Sequence, residues 1–135
     1  MSVTHEARIR VRYAETDQMG VVHHASFLLY MEDARTGLMA ERGLAYAELE
    51  GRGVGLAVRK TDLRYREPAR YGDELVVRAS VDRIRGASVL FTYEIRRASD
   101  ERLLVTGSTE LACIDLGAAD RPVRMLPPEL RELLD

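Results

Sequence analysis

Apolar residues recur along the chain with the periods of a strand, one long helix and further strands. In residues 7–13 every second position is apolar or aromatic and the positions between are arginines, which is typical of a half-buried strand. Residues 24 to about 42 instead carry apolar side chains at helical spacing. These are Phe27, Leu28, Leu29, Tyr30, Met31, Ala34, Leu38 and Met39. Other structure is expected to cover most of so apolar a helix.

The second half of the chain has the pattern of four strands joined by short links. The predicted strands are residues 54–66, 74–85, 88–97 and 102–115. Links this short predict that successive strands are antiparallel neighbours. Gly43 is expected to end the helix at its C′ position, and residues 45–50 and 127–135 are expected to form short turns. The prediction is an α+β fold, a single domain of residues 1–135 with about five antiparallel strands around one long apolar helix.

Composition and charge argue against several classes of binding partner. The chain has 135 residues, of which 46% are apolar, so it can bury a core without disulfides or a metal. A net charge of −2 and a pI near 6.0 give no basic field, so nucleic acid is an unexpected partner. Cys113 is the only cysteine, and the three histidines lack ligand spacing, so no metal is expected. The sequence predicts no membrane span and a cytoplasmic location.

An acid in a glycine-bearing loop before the helix is the strongest chemical signal. Asp17 and Gly20 precede the predicted helix N-terminus, where backbone N–H groups are unpaired and carry partial positive charge. A carboxylate beside such donors can attack a carbonyl, or deliver water to it, while the N–H groups stabilise the oxyanion. We therefore predict acyl-transfer chemistry, with Asp17 as the acid and Val22, His23 and His24 as backbone donors.

Neighbouring polar residues receive lesser roles. Glu15 is expected to continue the first strand and to lie at an exposed rim. His23 is expected to point away from His24, because adjacent residues on a helix or strand do not share a face. Glu32 lies about 12 Å along the helix from His24, at 1.5 Å per residue, too far to share one oxyanion site. The preferred interpretation of Glu32 is an ion pair with Arg35. Arg35 is also expected to tether the helix to a strand.

The same block of residues resembles a known enzyme family. The matching positions are Tyr13, Thr16, Asp17, Gly20, Val22, His24, Tyr30, Glu32 and Arg35, followed by YREPARYGDEL from Tyr65. This pattern resembles the hotdog-fold acyl-CoA thioesterases of the 4-hydroxybenzoyl-CoA thioesterase type, and it is most similar to the bacterial subgroup associated with the Tol-Pal system. The resemblance implies the hotdog fold, in which the sheet wraps around the helix.

The resemblance also implies roles and partners. It makes Asp17 the catalytic aspartate and gives His24 the task of orienting the thioester carbonyl or the water. It implies that Gly20 permits a close approach of the loop and that the helix begins near His23 or His24. It further implies an acyl-CoA or acyl carrier protein thioester as substrate, no cofactor because coenzyme A is part of that substrate, and homodimers or homotetramers with sites at subunit boundaries.

Several alternatives remain open at this stage. Asp17 can act as nucleophile, through a mixed anhydride, or as general base for water. An enoyl-CoA hydratase on the same fold is disfavoured, because those enzymes have a histidine five residues after the aspartate and this chain has Val22. A non-catalytic acyl-CoA-binding protein is the third possibility. The residues predicted from their positions to line the acyl pocket are Phe27, Tyr30 and Tyr65. Two residues, His23 and Phe27, depart from those common in the family, so the resemblance does not identify the acyl group of the substrate.

Overall fold

A computed structural model describes residues 3–135 as a five-stranded antiparallel sheet with a helix packed on one face. The elements are β1 (Thr4–Arg10), a 3₁₀ turn (Tyr13–Glu15), α1 (Ser26–Glu41), α2 (Tyr46–Gly51), β2 (Val54–Tyr65), β3 (Glu74–Ile84), β4 (Ser88–Arg97), β5 (Leu103–Asp115) and α3 (Pro128–Leu134). The predicted five antiparallel strands are confirmed. The four later strands begin and end within one residue of their predicted limits, because alternation of buried and exposed positions defines them clearly.

The order of strands across the sheet differs from the prediction at one connection. The order is β1-β3-β4-β5-β2, so β2 pairs with β5 and is not a neighbour of β3. The segment of residues 66–73 runs across the end of the sheet between them. The N–H of Arg66 donates to the Leu104 carbonyl at 2.8 Å, and the N–H of Gly72 donates to the Val11 carbonyl at 3.0 Å. A link of eight residues can form this crossing because it finds hydrogen-bond partners along the way.

β1 lies three residues earlier than the alternating pattern predicts. The pattern places the strand at residues 7–13, whereas it begins at Thr4 and ends at Arg10. Beyond that point, the N–H of Arg12 donates to the side chain of Glu15 at 2.8 Å and the chain turns. Tyr13 is consequently 76% exposed and lies outside the sheet. A local side-chain bond therefore replaces the strand ladder at this point.

The long helix α1 packs one face against the sheet. It begins at Ser26, two to three residues after the predicted start, and Gly43 follows its end with a φ of +103°, as expected for the C′ residue. The buried side chains are Phe27, Tyr30, Met31, Ala34, Arg35, Leu38 and Met39. Leu29, on the opposite face, stays 61% exposed, so this chain covers the helix from one side.

Two short helices complete the described part of the chain. α2 follows the bend at Gly43, and α3 buries Leu130 and Leu134. The expected short turns at these places are therefore helical. Within residues 3–135, none of the helices has both the length and the apolar character needed to cross a membrane.

Candidate active site

Asp17 is the second residue of a hairpin, residues 16–22, that we call the Asp17 loop. The N–H of Asp17 donates to the Val21 carbonyl at 2.9 Å, and Thr16 forms an antiparallel bridge with Val22. The hairpin joins the 3₁₀ turn to the entrance of α1. The sequence thus brings an acid close to a helix start through a compact loop.

One oxygen of the Asp17 carboxylate is held and the other is open. Oδ1 accepts the N–H of Met19 at 2.8 Å, a side-chain turn common for aspartate. No group within residues 3–135 bonds to Oδ2. The side chain is half-buried. A carboxylate with one fixed and one open oxygen has a defined orientation and can still accept a proton or approach an electrophile.

Gly20 is required by the backbone conformation of the loop. Its φ is +79°, and its N–H donates to the Asp17 carbonyl at 2.9 Å to close the turn. A Cβ at this position would meet no atom of residues 3–135 within 4 Å. The expected close approach is therefore not found among the described residues, and the left-handed φ is what favours glycine.

Only one of the three predicted backbone donors is open. The N–H of Val22 donates to the Ala69 carbonyl and the N–H of His23 to the Glu15 carbonyl, both at 2.8 Å. These bonds hold the Asp17 loop to the residue 66–73 connection and to the 3₁₀ turn. The prediction that Val22 and His23 present free N–H groups is corrected accordingly. The N–H of His24 has no acceptor within residues 3–135.

The two histidines stack on each other at the helix entrance. Their ring centroids are 4.2 Å apart, contrary to the expectation that His23 points away from His24. The reason is that both residues lie in a turn before α1, so the rule for helices and strands does not apply. Nδ1 of His23 accepts the N–H of Ala25 at 3.2 Å, whereas the His24 carbonyl accepts the hydroxyl of Tyr65 at 3.2 Å.

The three predicted pocket aromatics form one cluster beside His24. The Phe27 ring lies 5.8 Å from that of Tyr30 and 5.9 Å from that of Tyr65. Phe27 and Tyr30 are each 3% exposed, but Tyr65 is 51% exposed. In this chain, Tyr65 is the member of the cluster that offers surface to a ligand, and the other two support it from the core.

Glu15 is the residue that sequence reasoning misjudged. Its side chain is only 10% exposed. Oε1 accepts the Arg12 N–H and the Tyr30 hydroxyl, each at 2.8 Å, and Oε2 accepts Nε and Nη2 of Arg12 at 3.0 and 2.9 Å. Burial alone raises the pKa of this carboxyl, but the hydrogen bonds from Arg12 and Tyr30 outweigh it and lower the pKa. The i to i+3 spacing of Arg12 and Glu15 was the available signal.

Glu32 lies beside Arg35 on α1. Its Oε2 lies 3.9 Å from Nη2 of Arg35, which confirms the expected ion pair. Nη1 of Arg35 donates to the Tyr93 hydroxyl at 3.2 Å, and that hydroxyl is 2.6 Å from Oγ1 of Thr109. The buried Arg35 thus tethers α1 to β4, and through Tyr93 to β5.

Comparison with known families decides the class of this chain. A family model described as the thioesterase-like superfamily matches residues 11–134. The chain belongs to the thioesterase-like superfamily. The match includes the Asp17 loop, the whole of α1 and strands β2 to β5.

Two curated relatives and one solved structure that resemble this chain carry names of thioesterases or thioester hydrolases. A proposed acyl-CoA thioesterase of Bacillus subtilis, YneP, is 36% identical over 79% of this chain and 77% of its own length. The acyl-CoA thioester hydrolase YbgC of Escherichia coli O6:H1 is 34% identical over 90% of this chain and 86% of its own. The crystal structure of the DHNA-CoA thioesterase from Staphylococcus aureus matches with a TM-score of 0.89 and 30% identity, covering 96% of this chain and 87% of that one.

The site of this thioesterase-like chain is therefore mostly one cluster. The hairpin carries Asp17, Gly20 and Val22, and the helix entrance carries His23 and His24. The aromatic side chains of Phe27, Tyr30 and Tyr65 lie beside the helix entrance. Within residues 3–135 there is no group of three His, Cys, Asp or Glu side chains that could hold a metal ion.

Proposed function

We propose that this chain hydrolyses acyl-CoA thioesters to a free acid and coenzyme A. The observation that carries the proposal is that Asp17, in the hairpin, has an open carboxylate oxygen and that His24, two residues after the hairpin, has an open N–H. The assigned activity of YbgC, a relative that is 34% identical, supports the same reaction.

The two open groups lie close to each other along the chain. Asp17 is opposite Val21 in the hairpin, and His24 comes three residues later, in the turn that leads into α1. A reacting carbonyl carbon lies about 3–3.5 Å from its nucleophile, and its oxygen accepts an N–H···O bond of about 2.9 Å. In the proposed site, the Asp17 oxygen and the His24 N–H take these two places.

Hydrolysis of a thioester needs little further machinery. A simple thiol has a pKa of roughly 8.5, so coenzyme A leaves as a thiolate without a strong general acid. In one route, Asp17 Oδ2 attacks the carbonyl carbon, the C–S bond breaks, and water hydrolyses the mixed anhydride. In the other, Asp17 takes a proton from the water that attacks. In both, the His24 N–H stabilises the oxyanion, and no cofactor takes part.

The remaining site residues receive supporting roles in this proposal. The His24 ring, which faces Tyr65 edge to face at 6.5 Å, orients the carbonyl or the water. Tyr65 contacts the substrate, and Phe27 and Tyr30 shape the wall behind it. Acyl carrier protein thioesters are included as substrates because the thioester group is the same.

Finer family placement is also part of the proposal. We assign the chain to the 4-hydroxybenzoyl-CoA thioesterase type and, within it, to the Tol-Pal-associated subgroup, on the basis of the residue pattern of positions 13–35. A single functional domain over residues 1–135 and a cytoplasmic location belong to the same proposal.

We further propose that the chain forms a homodimer or homotetramer. β2 is an edge strand, and two of its apolar or aromatic side chains, Val58 and Tyr65, are 48% and 51% exposed. An edge with exposed apolar residues favours pairing with another chain. Tyr65 also belongs to the aromatic cluster, so such pairing adjoins the candidate site.

A thiol-release assay tests the reaction. Wild type, Asp17→Asn and a matched control, Asp82→Asn at an exposed position of β3, are assayed on short, branched, aromatic and long acyl-CoA thioesters and on acyl carrier protein thioesters. We expect wild type and Asp82→Asn to turn over at least one thioester and Asp17→Asn to lose about 10²- to 10⁴-fold in kcat. Binding without turnover would instead identify a binding protein, and loss of enoyl absorbance a hydratase.

Labelled water separates the two routes. After a single turnover in ¹⁸O-water, label in the Asp17 carboxylate indicates attack by Asp17. Label confined to the released acid, with no acyl-enzyme trapped by hydroxylamine, indicates general-base catalysis.

A further inference from the structure

The proposed mechanism makes no use of the most tightly bound carboxylate near the site. Glu15 is 10% exposed and accepts four hydrogen bonds from two residues, Arg12 and Tyr30. Both of its oxygens are occupied, so it cannot reach a substrate without breaking these bonds. A buried carboxylate is costly unless its hydrogen bonds are complete, and here they are.

The backbone of the same residue is bonded as well. The Glu15 carbonyl accepts the N–H of His23 at 2.8 Å and the hydroxyl of Ser26 at 3.5 Å. Two residues after Glu15 comes Asp17, and one residue after His23 comes His24. Glu15 therefore connects the segment that carries the acid with the segment that carries the open N–H.

The side chain extends this connection to the body of α1. Tyr30 lies one turn into the helix and is 3% exposed, so its hydroxyl is a fixed point in the core. The bond from the Tyr30 hydroxyl to Oε1 of Glu15 fixes the position of the 3₁₀ turn relative to α1. Burial, together with this bond, raises the pKa of Tyr30, so the phenol stays protonated and remains a donor.

We propose that Glu15 is a positioning residue that sets the separation between the Asp17 carboxylate and the His24 N–H. The inference rests on the proposed function, because those two groups form its reacting centre. Glu15 touches no substrate. Its effect is expected in kcat, since a shift of about 1 Å in catalytic geometry can cost 10²-fold in rate.

Two substitutions remove the connection from its two ends. Tyr30→Phe deletes one hydroxyl, and Glu15→Gln keeps the shape of the side chain but weakens its bonds to Arg12. We expect each to lower kcat by about tenfold to a hundredfold while KM changes by about twofold or less. The double variant should lose little more than the worse single variant, because both disturb one contact.

A matched control removes a similar hydroxyl elsewhere. The Tyr46 hydroxyl bonds to the backbone of Leu56, at 3.0 Å from its N–H and 3.4 Å from its carbonyl, and joins α2 to β2. Tyr46→Phe should lower the melting temperature as Tyr30→Phe does but leave kcat unchanged. Thermal unfolding of all variants shows whether each is folded at the assay temperature.

The outcomes separate the inference from the proposed function. If Asp17→Asn is inactive while Tyr30→Phe and Glu15→Gln keep wild-type kcat, the positioning role is wrong and the proposed reaction stands. The positioning role is also wrong if the two variants change kcat only as Tyr46→Phe does. Full activity of Asp17→Asn overturns both. Because Tyr30→Phe loses a single oxygen atom, it keeps the test available if Glu15→Gln does not fold.

Discussion

At the residue scale, the orientation of Asp17 depends on a left-handed glycine three residues later. Gly20 has a φ of +79°, a conformation that costs other L-residues about 1–2 kcal/mol. We expect Gly20→Ala to lower the free energy of unfolding by about that amount and to lower kcat, because the turn that holds the carboxylate is strained. Urea unfolding and thiol-release kinetics measure the two effects.

Gly51 provides the control for this substitution. It lies in α2, and a Cβ there would also meet no atom of the described residues within 4 Å, but its φ is outside the left-handed region. Gly51→Ala should therefore be neutral or stabilising by up to about 1 kcal/mol, since alanine favours helix. An equal loss of stability in both variants would contradict the conformational explanation of Gly20.

The lowered pKa of Glu15 predicts a dependence of stability on pH. A carboxyl with a folded pKa below its ordinary value of 4.5 stabilises the fold fully above that value. The contribution is lost as the pH falls through the lowered folded pKa. We expect the free energy of unfolding of wild type to fall between about pH 5 and pH 2 by more than that of Glu15→Gln.

Urea unfolding across this pH range makes the measurement. Glu132→Gln, at an exposed position of α3, serves as the matched control and should follow wild type. Parallel curves for wild type and Glu15→Gln would show that the Arg12 and Tyr30 bonds do not stabilise the ionised form.

At this scale, the sequence predicts the structure correctly where a residue type strongly favours one local conformation. An aspartate followed by a glycine before an apolar helix indicated the Asp17 loop, and the hairpin is found there. Glu15 was misjudged because the alternating pattern through Tyr13 suggested a continued strand. The bond between the Arg12 N–H and the Glu15 side chain ends that pattern, and no periodicity reports such a bond. Likewise, spacing cannot reveal that Val22 and His23 use their N–H groups within the fold.

At the element scale, a buried polar chain holds α1 on the sheet. Hydrogen bonds join Arg35 of the helix to Tyr93 of β4, and Tyr93 to Thr109 of β5. Arg35 is 8% exposed, and Tyr93 and Thr109 are each 2% exposed. Tyr93→Phe removes the hydroxyl that links them and leaves two buried groups short of a partner. We expect a loss of about 1–3 kcal/mol in the free energy of unfolding.

Two further variants check the cause of this loss. Adding Thr109→Val to Tyr93→Phe should cost less than Thr109→Val alone, because the threonine hydroxyl has already lost its partner. Tyr71→Phe, whose ring is 65% exposed, should change stability by less than about 0.5 kcal/mol in urea unfolding. Additive losses would mean that the Tyr93–Thr109 bond contributes nothing.

The elements themselves were predictable, but their order in the sheet was only partly so. β4 spans the predicted residues 88–97, because strict alternation and short links define a strand locally. The partner of β2 is a different matter, because pairing depends on where the residue 66–73 connection leads. That segment bonds to Leu104 and Val11, which are far from it in sequence, and such contacts have no local signature.

At the scale of the whole molecule, the candidate site lies near the edge of the sheet. Tyr65 ends β2, the edge strand, and its hydroxyl bonds to the His24 carbonyl at the entrance of α1. The ring remains half exposed within one chain. A second chain against this edge would bury Tyr65 and enclose the open groups of Asp17 and His24, which strengthens electrostatic stabilisation by excluding water.

Assembly and activity are therefore expected to change together. We expect wild type to sediment at two or four times its chain mass of 15.2 kDa. Val58→Lys introduces a charge at a 48% exposed position of β2, so it should shift the protein toward single chains and lower kcat in the same concentration range. Thr4→Lys places the same charge at an exposed position of β1, the opposite edge of the sheet, and should alter neither property. Analytical ultracentrifugation and thiol release, measured across one dilution series, report both. Full activity in a Val58→Lys protein that sediments as a single chain would show that the site is complete within one chain.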